Sequence, residues 1–319
     1  MADTAYAATM SPLRTVAIAA ALTAALGACA RPAAEPDRTA PIDTDGPGYV
    51  QPGTAYWEDW TVPDATVLLG TPFPEQPWDA PGMPEDPEPV SATLLLTGDS
   101  HEAMRDLHAQ IEAHGLKAAT TDDAEAICED GEPYECELYG IGTDGYAKIS
   151  ATLTAYERPA RGEPHPRLVV SFGTYSWFDA NDMHWRPAPE PPQGDSGIEI
   201  PELPADDLGH GSELPYFGKE EPLGTVPEDG RLLAPPHNPS ATYGFSGIFA
   251  LETEAFGHME ALAEAAATGE RYPDLELASG DLRSRRVTYD GSGGGCQVDL
   301  DLLTLADGAS YARLKVVCD

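Results

Sequence analysis

The strongest constraint on this chain lies at its C-terminal end, where two runs of alternating character, Cys296 to Leu305 and Ser310 to Cys318, flank Ala306-Asp307-Gly308. A short loop with glycine where a left-handed backbone is needed closes an antiparallel hairpin, so residues whose numbers sum to 614 face each other. Cys296 then meets Cys318, and Val298, Leu300 and Leu302 meet Val316, Leu314 and Ala312 on one face. Asp299 meets Lys315 and Asp301 meets Arg313 on the other, solvated face. Cross-strand packing favours apolar pairs on one side and opposite charges on the other. A one-residue slip would destroy every pair.

Five cysteines extend the argument. With Cys296 and Cys318 opposed, Cys128 and Cys136 form a second neighbouring pair, and an even set of four suits disulfides outside the reducing cytoplasm. Loop entropy gives a Cys296–Cys318 bridge about 3 kcal/mol, and a Cys128–Cys136 bridge slightly less. Zinc fits poorly, because no C-x-x-C spacing occurs and the pairs lie far apart in sequence.

The fifth cysteine, Cys29, stands after a different kind of segment. Thr15 to Gly27 carries no charge and follows Arg14; it has the length of a signal-peptide apolar region and falls short of the ~20 residues a spanning helix needs. Leu26-Gly27-Ala28-Cys29 resembles the lipobox of bacterial lipoproteins. The resemblance stops at Cys29. It implies that residues 1–28 are a signal peptide removed on export, and that the Cys29 thiol carries a diacylglyceryl group. The protein would then sit on the outer, extracytoplasmic face of the cell membrane, held by two acyl chains at about 0.8 kcal/mol per buried methylene. Met10-Ser11-Pro12-Leu13-Arg14 makes a better basic start than Met1 to Thr9 with its Asp3, which points to translation from Met10.

Charge narrows the partners. With 54 acidic against 18 basic residues the formal charge is -36, a field that repels nucleic acid and anionic headgroups. A solvated acidic surface accounts for it better than cation capture. Asp43-Thr44-Asp45-Gly46 begins like a calcium loop, but Thr54 stands where the closing glutamate belongs.

Residues 29–56, rich in Pro, Ala, Asp and Gly, read as a flexible tether. Two related halves follow, residues 57–178 and 225–319, joined by an acidic Pro/Gly-rich linker over 179–224 whose Tyr216 and Phe217 suggest local packing. Thr61-Val62-Pro63-Asp64 and Thr225-Val226-Pro227-Glu228 are each followed by paired leucines and a proline at the same spacing. Each half then shows one amphipathic helix. The first spans Ser100 to His114, with Asp99 or Ser100 as cap, an inward stripe of Met104, Leu107 and Ile111, and Gly115 as stop. The second spans Glu254 to Ala267, with Thr253 as cap and Phe256, Met259, Leu262 and Ala266 inward. Three strand-like segments follow each helix: Cys136 to Gly142, Tyr146 to Glu157 and Arg167 to Tyr175, then Leu282 to Tyr289 and the two hairpin runs. The expected fold is strand-rich α+β: tandem β-α-β-β-β repeats, with antiparallel sheets that each carry one helix on a face.

No segment assembles into a catalytic, metal or cofactor motif. Gly194-Asp195-Ser196-Gly197 resembles the nucleophile segment of chymotrypsin-like serine proteases, but Ile198 replaces the glycine that should follow. Asp99 and Ser100 serve the helix start better than a hydrolytic Asp-Ser-His run. His101 and His108 flank Arg105 on the outer side of the helix, a poor cation site. Tyr243 to Gly247 lacks the spacing of a nucleophile elbow, and Gly291 to Gly295 lacks the lysine of a phosphate loop. Trp57, Trp60, Trp78, Trp177 and Trp185 flank the first half and read chiefly as core caps. The resulting expectation is a lipid-anchored cell-envelope protein with a non-catalytic binding or structural role toward an envelope protein or cell-wall component. A solute-binding lipoprotein of a transporter stands second, and a secreted hydrolase third.

Overall fold

The computed structural model describes residues 44–75, 89–120, 128–129, 134–155, 166–175, 184–185, 208–239, 243–252, 255–279, 282–291 and 295–318. The first half runs β1 (Tyr49–Val50), β2 (Ala55–Trp57), β3 (Trp60–Thr61), β4 (Thr66–Leu69), β5 (Phe73–Pro74), β6 (Val90–Leu96), α1 (Ser100–Ala113), β7 (Lys117–Thr120), β8 (Cys128–Glu129), β9 (Tyr134–Ile141), β10 (Ala147–Ala155), β11 (Arg167–Tyr175) and β12 (His184–Trp185). The second runs β13 (Glu213–Leu214), β14 (Gly224–Thr225), β15 (Gly230–Leu232), β16 (Tyr243–Leu251), α2 (Phe256–Ala266), β17 (Leu275–Ser279), β18 (Leu282–Tyr289), β19 (Cys296–Thr304) and β20 (Ser310–Cys318).

The two large sheets contain the orders β4-β6-β11-β10-β9-β7 and β15-β16-β20-β19-β18-β17, with β1 and β12 extending the first. Each order places the strand that leads into the helix second, then takes up the later strands in reverse chain order. Between β6 and β7 lie four strand spacings, about 19 Å at ~4.8 Å each, and α1 with its 14 residues is about 21 Å long. The helix is therefore long enough to carry the chain from one side of the sheet to the other, from where a meander returns it.

This arrangement overturns the expected β-α-β-β-β unit. Four strands follow α2 and six follow α1 in the first half, while five short strands precede β6. The strands missed directly after each helix explain the difference. Lys117-Ala118-Ala119-Thr120 and Leu275-Glu276-Leu277-Ala278 carry helix-favouring residues, and only pairing with β9 and β18 makes them strands. Within the expected tether over 29–56, Tyr49 and Val50 pair with Leu69 and Leu68. Leu208, Leu214, Tyr216 and Leu223 sit in the second core, so that end of the expected 179–224 linker belongs to the second half.

Each helix covers one sheet face. Asp99 caps α1 by accepting from the amides of His101 at 2.7 Å and Glu102 at 3.4 Å, and Gly115 ends it at φ 73°. Ala103, Met104, Leu107 and Ile111 pack against Leu94, Leu138, Ile149, Leu168 and Val170. Helix α2 begins later than expected, with Ala255 at its N-cap and no side-chain cap there; Thr253 lies outside the described residues. Met259 and Ala263 are fully buried against Phe249, Leu300 and Leu314. Each such large apolar side chain contributes about 1.5–3 kcal/mol.

The sheets turn their helix-free faces to one another. Tyr49, Val67, Leu69, Phe73 and Leu95 meet Leu233, Ala234, Ile248, Leu303 and Tyr311 in one buried cluster, so the layers run helix, sheet, sheet, helix. A polar seam lies in the same plane. Asp301, only 4% exposed, accepts from Arg286 Nε at 2.5 Å and Arg313 Nε at 2.9 Å. Arg286 and Arg313 also donate to the Pro74 carbonyl, and Arg313 to Ser91 Oγ at 2.7 Å. The register opposes Asp301 to Arg313 as expected. At this pair, however, the face is not solvated, because the first sheet covers it; Lys315, opposite Asp299, stays exposed as expected.

Candidate functional site

The β19–β20 ladder runs Cys296 to Cys318, Val298 to Val316, Leu300 to Leu314 and Leu302 to Ala312, with Gly308 left-handed at φ 89° in the connecting loop. A disulfide joins Cys296 to Cys318 across Cα atoms 4.1 Å apart, and both residues are buried. Tyr216 closes over it, its hydroxyl 3.1 Å from Cys296 Sγ and 3.0 Å from Cys318 Sγ, while Lys219 Nζ stands 4.1 Å above the tyrosine ring. Cys128 and Cys136 are register partners in the β8–β9 ladder; their side chains lie outside the described part. Leu26, Gly27, Ala28 and Cys29 also lie outside the described residues, so the lipid anchor rests on sequence.

The motif-like segments resolve into structure. Asp99 serves as the α1 cap, and Ser100 is fully buried at the first helical position. His101 is part-exposed, its Nδ1 3.6 Å from Asp99 Oδ1. His108 is not on the exposed flank: it is 1% exposed, beneath Glu112, whose Oε2 lies 3.9 Å from its Nδ1. Tyr243 to Gly247 is straight strand within β16. Gly194 to Gly197 and residues 292–294 lie outside the described residues, as does Asp43. Among the described residues no group of three or more His, Cys, Asp or Glu side chains could hold a metal ion.

A second cluster forms where the β2–β3 hairpin meets the end of α1. Trp57 and Trp60 are register partners, so Glu58 and Asp59 alone make the turn, with Glu58 left-handed at φ 48°. Gln110 clasps β3 as a neighbouring strand would, accepting from Thr61 N at 3.0 Å and donating to Thr61 O at 3.1 Å. Trp60 is buried, stacked on His114 with ring centroids 3.9 Å apart and planes 5° from parallel. Tyr56, Trp57 and Trp60 all lie against Phe172 of β11, at 5.8, 6.2 and 5.3 Å between centroids.

His114 holds this corner through both ring nitrogens. Nδ1 lies 2.7 Å from the Gln110 carbonyl, and Nε2 lies 2.9 Å from Asp59 Oδ1. Burial opposes a charged ring, but the Gln110 carbonyl and the Asp59 carboxylate outweigh it and hold the imidazole above its ordinary range. The same bond to His114 holds Asp59 below the usual carboxylate range. Burial pushes the Tyr56 phenol well up, and its hydroxyl has no hydrogen-bond partner. Sequence reading placed the two tryptophans in a packing role and gave His114 none beyond ending the helix. A tight Trp-Glu-Asp-Trp turn was the available signal, but nothing local links it to a histidine 55 residues away.

No family model, curated protein or solved structure matches the chain.

Proposed function

We propose that this is an exported, lipid-anchored cell-envelope protein that holds a partner or an assembly in place and performs no catalysis itself. Leu26-Gly27-Ala28-Cys29 supplies the anchor, and the observation that carries the reading is the formed Cys296–Cys318 bridge, chemistry that belongs outside the reducing cytoplasm. No described helix is long and apolar enough to cross a membrane. Attachment comes from the acyl chains on Cys29. Cys128 and Cys136, opposed in their ladder, form the second bridge of the same oxidised protein. A formal charge of -36 favours a partner that is neutral or basic, an envelope protein or a cell-wall component, over nucleic acid.

Fractionation of the native host tests the reading. Wild type belongs in the membrane fraction and Cys29→Ser in the soluble extracytoplasmic fraction. Wild type recovered from the cytosol, or Cys29→Ser held on membranes as firmly as wild type, would overturn it.

A further inference from the structure

We infer that His114 is a proton-operated latch on the β2–β3 hairpin, closed while both ring nitrogens carry hydrogen and released when one hydrogen leaves. The geometry is the reason. Both nitrogens face acceptors that cannot themselves donate, the Gln110 carbonyl at 2.7 Å and the Asp59 carboxylate at 2.9 Å. A neutral imidazole has one N–H and one lone pair, so it must turn the lone pair on one of these oxygens. Only the imidazolium satisfies both.

Three neighbours favour the charged ring. His114 caps the C-terminal end of α1, where helix carbonyls present partial negative charge. Trp60 offers its indole face at 3.9 Å, a surface that attracts a cation. From the hairpin, Asp59 and Glu58 both act electrostatically to keep the proton on. On the helix itself the nearest acidic groups are Glu112 and Asp106, the latter bonded to Gln110 Nε2 at 2.9 Å; Lys117 opens β7 beyond the cap.

The latch holds a segment that carries its own liabilities. Glu58 occupies a backbone region that costs an L-residue, and the Tyr56 hydroxyl is buried without a partner. Base of hairpin and tip are tied separately: Gln110 and Asp106 fasten Thr61 and Asp64, whereas Asp59 and the stacked Trp60 depend on His114. Losing the proton therefore loosens the tip, Glu58 and Asp59 with the stacked Trp60 ring, and leaves the Thr61 end of β3 tied to Gln110. The hairpin is closed in acid and opens above the ordinary imidazole range.

Nuclear magnetic resonance of the full mature chain tests this. The imidazole Cε1–H of His114 and the indole N–H signals of Trp57 and Trp60 are followed from about pH 5 to pH 9. The expected result is one shared step at His114 and Trp60, with its midpoint above ~6.5, and indole exchange at Trp60 that accelerates about tenfold beyond its intrinsic pH dependence. In His114→Gln the Trp60 step disappears; in Asp59→Asn its midpoint falls toward the ordinary histidine value. A Trp60 signal that ignores the His114 titration, a step retained in His114→Gln, or a midpoint at or below the ordinary value would overturn the latch. Should His114→Gln not fold, Asp59→Asn decides, since the Asp59 side chain is 81% exposed and its exchange removes no packing.

Discussion

Phe172 and Cys318 occupy corresponding places in the two sheets. Phe172 of β11 pairs with Ile149 of β10 and Val90 of β6, while Cys318 of β20 pairs with Cys296 of β19 and Tyr243 of β16. The segments that approach these corners also begin alike. Gly53 donates to Val62 O and Val62 to Thr54 O; Gly211 donates to Val226 O and Val226 to Ser212 O, with both glycines left-handed. From there they diverge. The first hairpin turns at once through Glu58 and Asp59 and lays Tyr56, Trp57 and Trp60 on Phe172. The second leaves a longer stretch between β13 and β14, which brings Tyr216 over a disulfide. One corner is fastened by stacked rings and a histidine bonded through both ring nitrogens, the other by a covalent bond. The lesson is that the same backbone frame accepts two locks with different sensitivities, one to pH and one to redox potential.

Cutting the polar seam between the sheets gives the largest effect. Asp301→Ala leaves the part-buried Arg286 and Arg313 without their carboxylate, at a cost of about 3 kcal/mol or more by urea denaturation followed by circular dichroism. A change below 1 kcal/mol would mean the seam contributes little to holding the sheets together. Phe172→Ala removes the platform of the aromatic lock and costs about 3 kcal/mol, with loss of near-ultraviolet signal from the tryptophans. Replacing Cys296 and Cys318 together by serine costs about 3 kcal/mol or slightly less, and hydrogen exchange quickens around β19 and β20 while β10 and β11 keep their protection. Equal loosening of both halves would erase the distinction between the locks.

The smallest effect is the pH dependence of the aromatic corner. His114 lies above its ordinary value in the folded protein, so its contribution is complete below ~6.5 and is lost as pH rises through the folded value. Thermal scans of wild type against His114→Gln should differ in acid and converge toward alkaline pH. A difference that widens as pH rises would contradict the assigned sign.

The hairpin of β19 and β20 was legible in the sequence because every determinant is local: one glycine-bearing loop, alternating apolar residues and charges matched across it. The helix α1 was legible for the same reason, through Asp99, its apolar stripe and Gly115. What escaped depends on distant partners. Lys117 to Thr120 becomes a strand because β9 offers it a ladder, Asp301 is buried because another sheet covers it, and His114 gains its role from a turn far upstream. The cysteines of the second corner were therefore readable, and the histidine of the first was not.

The most direct test of the functional account is intact-mass measurement on the protein extracted from native membranes, without reductant. The account predicts a polypeptide that begins at Cys29, carries a lipid-sized increment on that residue, and has Cys128, Cys136, Cys296 and Cys318 oxidised. A chain that retains the residues before Cys29, bears no lipid and reacts as free thiols at all five cysteines would contradict it.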